Sequence, residues 1–242
     1  MINSFAVGYE GEDQRLRAEE LATRLGLAIE NEADNQLLVT ADKLLLKIHP
    51  FLPLHANFSS TFWQKRRDAG KKQGLVRACK PVNGLRIVDA TAGWGRDAAV
   101  LASFGADVLM LEQNPVMAAL LQDALERRDT HSKAVLKLGL LNVDARKYLE
   151  SLSRENYPDV IYIDPMHPAR QKAALVKKDL QILQQLIDID DDVLSLIHLA
   201  QTRAKKVVVK WPQQLSPLLK PMSSVDGKTV RFDIYHAEIK AD

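Results

Sequence analysis

Cysteine is almost missing from this chain: Cys79 is the only one in 242 residues. That excludes an intramolecular disulfide and a thiolate zinc cluster, and it suits a reducing compartment. No window approaches about eighteen uninterrupted apolar residues, and no basic start leads into an apolar run, so neither membrane spanning nor export is expected. The expected location is the cytoplasm. Charge of one sign is not in excess either, with 33 Lys and Arg against 31 Asp and Glu for a net of +2. So small a sum does not by itself indicate a nucleic-acid partner, and the distribution of charge matters more. Repeats and low-complexity segments are also lacking.

What is present is a hydrophobic content of 46%, enough for one full α/β core with a smaller appendage. From Ile87 onward, short β-rich runs alternate with longer amphipathic segments, the pattern of a parallel sheet covered by helices. Strands are predicted over 85–90, 107–112, 134–142, 160–163 and 206–210. The last two are too apolar for a solvent-facing edge and belong in the sheet centre. Helices are predicted over 97–104, from Pro115 at a first helical turn, and over 171–186 and 193–202. Residues 223–229, turning at Asp226-Gly227, and 230–237 read as a closing antiparallel hairpin.

The first eighty residues behave differently. They offer a strand-like start, a helix near 14–25, a hairpin over 37–48 and a basic helix near 62–79. The expected division is a small N-terminal α+β domain over 1–80 and an α/β domain over 81–242. Asp188-Ile189-Asp190-Asp191-Asp192 resembles a divalent-metal loop, but aspartates that begin a helix are favoured by capping and by the helix dipole. No metal is expected.

Two acidic strand exits carry the chemistry. The first is Asp89-Ala90-Thr91-Ala92-Gly93-Trp94-Gly95-Arg96-Asp97. Small residues here let backbone approach a ligand closely, and Gly93 and Gly95 aim free N–H groups at it. Gly93, Gly95 and Ala98, with Glu112 at the end of the second strand, also fit a relaxed dinucleotide fingerprint, which makes a nicotinamide-dependent oxidoreductase a rival. Asp89, Ala90, Thr91 and Ala92 precede Gly93, whereas a dinucleotide site has its first glycine soon after the strand, and an acid at that strand end repels a pyrophosphate but attracts a ligand carrying an ammonium and a sulfonium, such as S-adenosylmethionine. Glu112 is expected to accept both ribose hydroxyls, a device common to both cofactors. Asp144 either faces the adenine amino group or caps a helix.

The second exit is Tyr162-Ile163-Asp164-Pro165-Met166-His167-Pro168, at the carboxyl edge where open α/β sheets bind ligands. An exocyclic amine on a base is a poor nucleophile because its lone pair is delocalised. A site must hold its hydrogens and favour a pyramidal nitrogen, tasks suited to the Asp164 carboxylate and the Pro165 carbonyl. Pro165 and Pro168 fix φ and keep those acceptors aimed.

Val88-Asp89-Ala90-Thr91-Ala92-Gly93, Gly95-Arg96-Asp97, Asp164-Pro165-Met166, Ala174-Leu175-Val176-Lys177-Lys178, Val207-Val208-Val209-Lys210 and Arg231-Phe232-Asp233-Ile234-Tyr235 together resemble the bacterial RsmJ family over about Phe58 to Tyr235. That resemblance implies a Rossmann-like class I S-adenosylmethionine-dependent methyltransferase fold. It also implies methylation of a guanine N2 amine in 16S rRNA of the small ribosomal subunit. It further implies a cofactor pocket lined by Arg96, Asp97, Glu112, Gln113, Asp144, Ala145 and Asp164. His167 departs from the family's frequent aromatic residue. It either stacks on the base less extensively, spaces the loop, or takes a proton.

Arg170, Lys172, Lys177, Lys178, Lys210 and Arg231 flank the expected active edge and are the candidate phosphate contacts. The alternatives are an amino-methyltransferase for another base or for DNA, an oxidoreductase, and a non-enzymatic RNA-binding protein.

Overall fold

A computed structural model describes residues 5–68, 70, 73–165 and 192–238. They form two compact units, each with its own sheet.

The first unit takes residues 5–57 together with Asn114–Arg127. Strands β1 (Ala6–Tyr9), β2 (Ala28–Ile29), β3 (Asn35–Val39) and β4 (Leu44–Ile48) lie in the order β2-β1-β3-β4. The β3–β4 pair is the expected hairpin, and β1 runs parallel to both its neighbours. Helix α1 (Arg15–Leu25) buries Ala18, Leu21 and Ala22 on one stripe and ends at Gly26 in the left-handed conformation that glycine adopts without strain. Val7, Leu37 and Leu46, all fully buried, fill this small core.

After β4 in the chain come α2 (Ser60–Arg67) and α3 (Gly74–Cys79), expected as one continuous helix but separate, with Asp68 and Gln73 outside both. The stretch from Phe58 to Lys80, expected with the N-terminal domain, groups with the second unit. Packing explains this: Phe58 and Trp63 are each 1% exposed. A Cβ on Gly74 would come within 2.6 Å of the Phe232 ring, so α3 lies directly against that side chain.

The second unit is built on seven strands in the order β10-β11-β9-β8-β5-β6-β7. They are β5 (Arg86–Asp89), β6 (Asp107–Glu112), β7 (Leu138–Asn142), β8 (Val160–Ile163), β9 (Lys206–Pro212), β10 (Ser223–Asp226) and β11 (Val230–His236). β5 to β9 are parallel, and β11 closes the sheet antiparallel to β9 and β10.

Helices cover both faces. One face carries α3 and α4 (Arg96–Ser103). The other carries α7 (Ala145–Ser151) and α8 (Val193–Gln201), whose Leu149, Leu196, Ile197 and Ala200 share a core with Val88, Ile161, Ile163, Val207 and Val209. Alternate residues of the central strands thus face opposite helix layers, and the near-continuous apolar runs follow from burial on both sides.

α5 (Pro115–Glu126) begins at its proline, with the Asn114 side chain accepting the Val116 and Met117 N–H groups. It belongs to the first unit, where Asp123 accepts from Arg17, Arg127 and the Leu44 N–H. The third strand of the second unit is shorter than expected, because 134–135 close α6 (Thr130–Val135). Asp129 caps that helix by accepting the Ser132 N–H at 2.8 Å, which outweighs the β preference of a single Val135.

Candidate active site

Strand order reverses at β5, with β6 and β7 on one side and β8 and β9 on the other. Open α/β sheets have their crevice at such a switch point, outside the carboxyl ends of the strands. Both acidic exits emerge there, one from β5 and one from β8.

The β5 exit is fastened to both neighbouring strands. Ala90 N–H donates to the Tyr162 carbonyl at 2.9 Å, Ala92 N–H to the Leu111 carbonyl at 3.2 Å, and Gly93 N–H to Glu112 Oε2 at 3.1 Å. Gly93 and Gly95 take φ of 52° and 67°, left-handed values that a side chain would strain, and Gly95 leads directly into α4. The Thr91 hydroxyl accepts the Asp164 N–H at 2.6 Å, so the two exits are joined to each other.

Asp97, in the first turn of α4, collects three donors. Arg66 Nη2 reaches Oδ1 at 2.7 Å, while Tyr162 Oη at 2.7 Å and Lys210 Nζ at 3.0 Å reach Oδ2. Lys210 Nζ also lies 2.7 Å from Asp164 Oδ2. Three carboxylates, Asp89, Asp97 and Asp164, are therefore gathered with two cations.

Their protonation follows from their surroundings. Burial pushes Asp89 up to about 8, helped by the neighbouring Asp97 and Asp164 carboxylates and opposed by the Thr91 N–H. Burial works against ionisation of Asp97 as well, but Lys210, Arg66 and the Tyr162 hydroxyl outweigh it and hold the carboxyl below its usual range. Burial and the Asp97 charge raise Tyr162 well above the ordinary phenol value, which keeps its hydroxyl a donor. For Lys210, burial disfavours the charge while Asp164 and then Asp97 more than restore it.

Glu112, the last residue of β6, is 5% exposed. A carboxylate offers about four acceptor positions, so its bond to Gly93 is compatible with ribose contacts. Asn142 Nδ2 donates to the Glu112 and Gln113 carbonyls at 2.7 and 3.2 Å and fixes how the chain leaves β6. Asp144 is the N-cap of α7, its Oδ1 accepting the Lys147 N–H at 3.1 Å, with Ala145 as the first helical residue. Pro165 is buried beside Asp164.

A family model described as "Putative SAM-dependent methyltransferase" matches residues 20–237. The chain belongs to this family. Among curated proteins, ribosomal RNA small subunit methyltransferase J of Legionella pneumophila is 56% identical over 238 residues, covering 98% of both chains. Its namesake in Coxiella burnetii is 40% identical over 97% of this chain and 98% of its own. The crystal structure of a SAM-dependent methyltransferase from Neisseria gonorrhoeae superposes with a TM-score of 0.73 at 27% identity, covering 98% of this chain and 97% of that one. The methyltransferase fold that the resemblance implies is thus the one present, and S-adenosylmethionine is its cofactor.

The donor set fits that cofactor: a buried acid that tolerates a nearby ammonium, left-handed glycines that let backbone approach, and a strand-end carboxylate for a ribose. Two candidate phosphate contacts of this methyltransferase need correction. Lys210 is turned inwards to Asp97 and Asp164, with its side chain 20% exposed. Arg231 is 8% exposed. Its Nε donates to Asp233 Oδ1 at 2.8 Å, and its Nη1 donates to the carbonyls of Pro212, Gln213 and Leu215. In both cases acceptors of the chain itself hold the cation, Arg231 through Nε and Nη1 and Lys210 through two partly buried carboxylates, so neither is presented to a phosphate.

His167, Arg170, Lys172, Lys177 and Lys178 lie outside the described residues, as do the expected helix over 171–186 and most of the acidic run before α8. Sequence reasoning missed Thr91, Arg66, Asn142 and Tyr162 as site-building groups. Thr91 sat within the first motif and Arg66 within a basic triplet, so a signal was present for those two. Tyr162 likewise opened the second motif, whereas nothing local distinguished Asn142.

Proposed function

We propose that this methyltransferase acts on the exocyclic N2 amine of a guanine in 16S rRNA of the small ribosomal subunit. The observation that carries the reading is the junction of the two acidic exits through Thr91 Oγ1 and the Asp164 N–H. One exit is suited to the cofactor, the other to an amine, and they adjoin at the carboxyl edge. The relatives' printed name, ribosomal RNA small subunit methyltransferase J, supports the choice of RNA. Under this reading the place of action is the cytoplasm.

When bound, S-adenosylmethionine supplies an electrophilic methyl group on its sulfonium. Asp89, Gly93, Gly95, Arg96, Asp97, Glu112, Gln113, Asp144 and Ala145 line its pocket, with Glu112 on the ribose. Asp164 and the Pro165 carbonyl accept the hydrogens of the guanine amine, turning its lone pair out of conjugation, and Asp164 is the acceptor nearest the proton that the nitrogen sheds. Orientation is the larger contribution: aligned reactants gain about 7–11 kcal/mol, against about 2.7–4 kcal/mol for one preorganised polar contact.

The target base must leave its stack to reach such a pocket. Arg170, Lys172, Lys177 and Lys178 remain the proposed phosphate contacts beyond Asp164, and His167 the group beside the base. On the other flank, α2 presents exposed Phe62, Lys65 and Arg67, and the Arg96 guanidinium lies 5.9 Å from the Phe62 ring centroid. Exposed cations interleaved with an aromatic ring suit a nucleic-acid strand.

Labelled methyl transfer to small subunits from a strain lacking the protein, followed by nucleoside identification, tests the reading. N2-methylguanosine is the expected product. A methylated adenine or cytosine, or transfer to DNA in preference to RNA, overturns the choice of acceptor.

A further inference from the structure

We propose that Lys210 is a positioning residue for methyl transfer: its ammonium bridges Asp97 and Asp164 and thereby fixes the Asp164 carboxylate towards the acceptor amine. The inference rests on the reading of Asp164 as the group that meets that amine.

The placement begins with strand register. β8 and β9 run parallel with Tyr162 opposite Val208 and Ile163 opposite Val209. One step further along, Lys210 stands level with Asp164. The alternation of β9 sends Val209 to the α7–α8 core, and so sends Lys210 to the opposite face, where α4 carries Asp97. A long, flexible side chain at that position is caught between two carboxylates, at 2.7 Å from Asp164 and 3.0 Å from Asp97.

Described residues hold Asp164 by both its main chain and its side chain. Its main chain is fixed through the N–H bonded to Thr91 Oγ1 at 2.6 Å, and its side chain through Oδ2 on Lys210. Arg66 neutralises Asp97 from the other side at 2.7 Å, so Lys210 is not needed for Asp97 alone. Without the ammonium, Asp164 loses the cation it shares with Asp97 and is repelled by the Asp97 charge. An acceptor that must meet one amine hydrogen loses rate steeply when misplaced, by about a hundredfold for a shift of about 1 Å.

Among the described residues, Arg66, Tyr162 and Asp89 also neighbour the bridge. None of them occupies the place of Lys210 between the two carboxylates. A phosphate contact, the role suggested by sequence, requires the ammonium to leave both acids.

The test uses the full-length chain with undermethylated small subunits as substrate. Lys210→Met is expected to lower kcat by about a hundredfold, with KM for the subunit and the dissociation constant for S-adenosylmethionine changed less than about threefold. Lys210→Arg is expected to restore part of kcat, since a guanidinium also pairs with carboxylates. The slope of log affinity for RNA against log salt is expected to stay at the wild-type value, whereas a lost phosphate contact lowers it by about one. In an Asp164→Asn background, adding Lys210→Met is expected to cost less than about twofold, because residues acting as a unit are not additive. If the methionine variant melts below assay temperature, Lys210→Gln is used with the same expectations.

A reduced salt slope with unchanged kcat makes Lys210 a phosphate ligand and overturns the proposal. So does a full additional loss in the Asp164→Asn background. Wild-type kcat in Asp164→Asn alone sinks the underlying role of Asp164 instead, and the two failures are thereby distinguished.

Discussion

Gly93 N–H donates to Glu112 Oε2 across 3.1 Å, which binds the glycine turn after β5 to the final residue of β6. The carboxylate thus shapes the glycine turn, besides its proposed role as acceptor for a ribose. Glu112→Ala is expected to weaken S-adenosylmethionine binding by about 10- to 100-fold, the size of a hydrogen bond to a charged group at about 1.5–3 kcal/mol. Calorimetric titration measures it. An unchanged dissociation constant removes Glu112 from the cofactor site.

Asp89 gives a pH dependence whose sign is fixed by burial. Its carboxyl titrates near 3.8 when solvated and is pushed up to about 8 in the fold, so the folded chain keeps a proton that the unfolded chain releases. From about pH 4 to about pH 8 this residue lowers stability as pH rises, and the effect levels off above that window. Asp89→Asn lacks the titration. Its melting temperature is expected to gain on the wild type between about pH 5 and about pH 8, and parallel melting curves across that range refute the assignment. In the proposed pocket an ammonium beside Asp89 favours the carboxylate, so cofactor binding near neutral pH releases a proton. Calorimetry in buffers of different ionisation enthalpy detects it.

Arg231 is a structural cation. Removing one partner of a buried pair costs about 3–5 kcal/mol because the other charge is left uncompensated. Arg231→Leu is expected to lower the denaturation midpoint accordingly, through the stranded Asp233 on the same strand. A variant of native stability with weaker RNA binding returns Arg231 to the phosphate contacts.

Lys65 and Arg67 test the α2 flank. Replacing both with alanine is expected to reduce the salt slope of RNA binding by about two, one per lost phosphate contact, while leaving cofactor affinity unchanged. Substitution at a merely solvated helix face leaves the slope where it was.

The strands of the second unit were legible because burial on both faces writes itself as short apolar runs: 160–163 was read with the bounds that β8 has, and the closing hairpin with its Asp226-Gly227 turn. The acids at the strand ends were legible for the same reason, since a charge at the end of an apolar run marks an exit. The cations were not. Lys210 and Asp97 are far apart in the chain, and a lysine after three valines reads the same whether it meets water, a phosphate or a carboxylate. Arg231 meets Asp233 only two residues away, but their pairing depends on the carbonyls of 212–215 closing around the guanidinium. The break between α2 and α3 was likewise hidden in basic residues compatible with a continuous helix, with Gly70 at φ 76° as its one local mark.

The bond from the Asp164 amide to the Thr91 hydroxyl makes donor and acceptor loops a single mechanical part before either ligand arrives. Ligands docked against Thr91 and Asp164 meet two residues already joined, and the entropy of aligning those residues is surrendered once, during folding, instead of at every turnover. By the same token Thr91 and Asp164 do not drift independently under mutation. A change that reshapes the Thr91 turn is transmitted to Asp164, and under the proposed role of that carboxylate this ties the evolution of cofactor grip to that of acceptor choice.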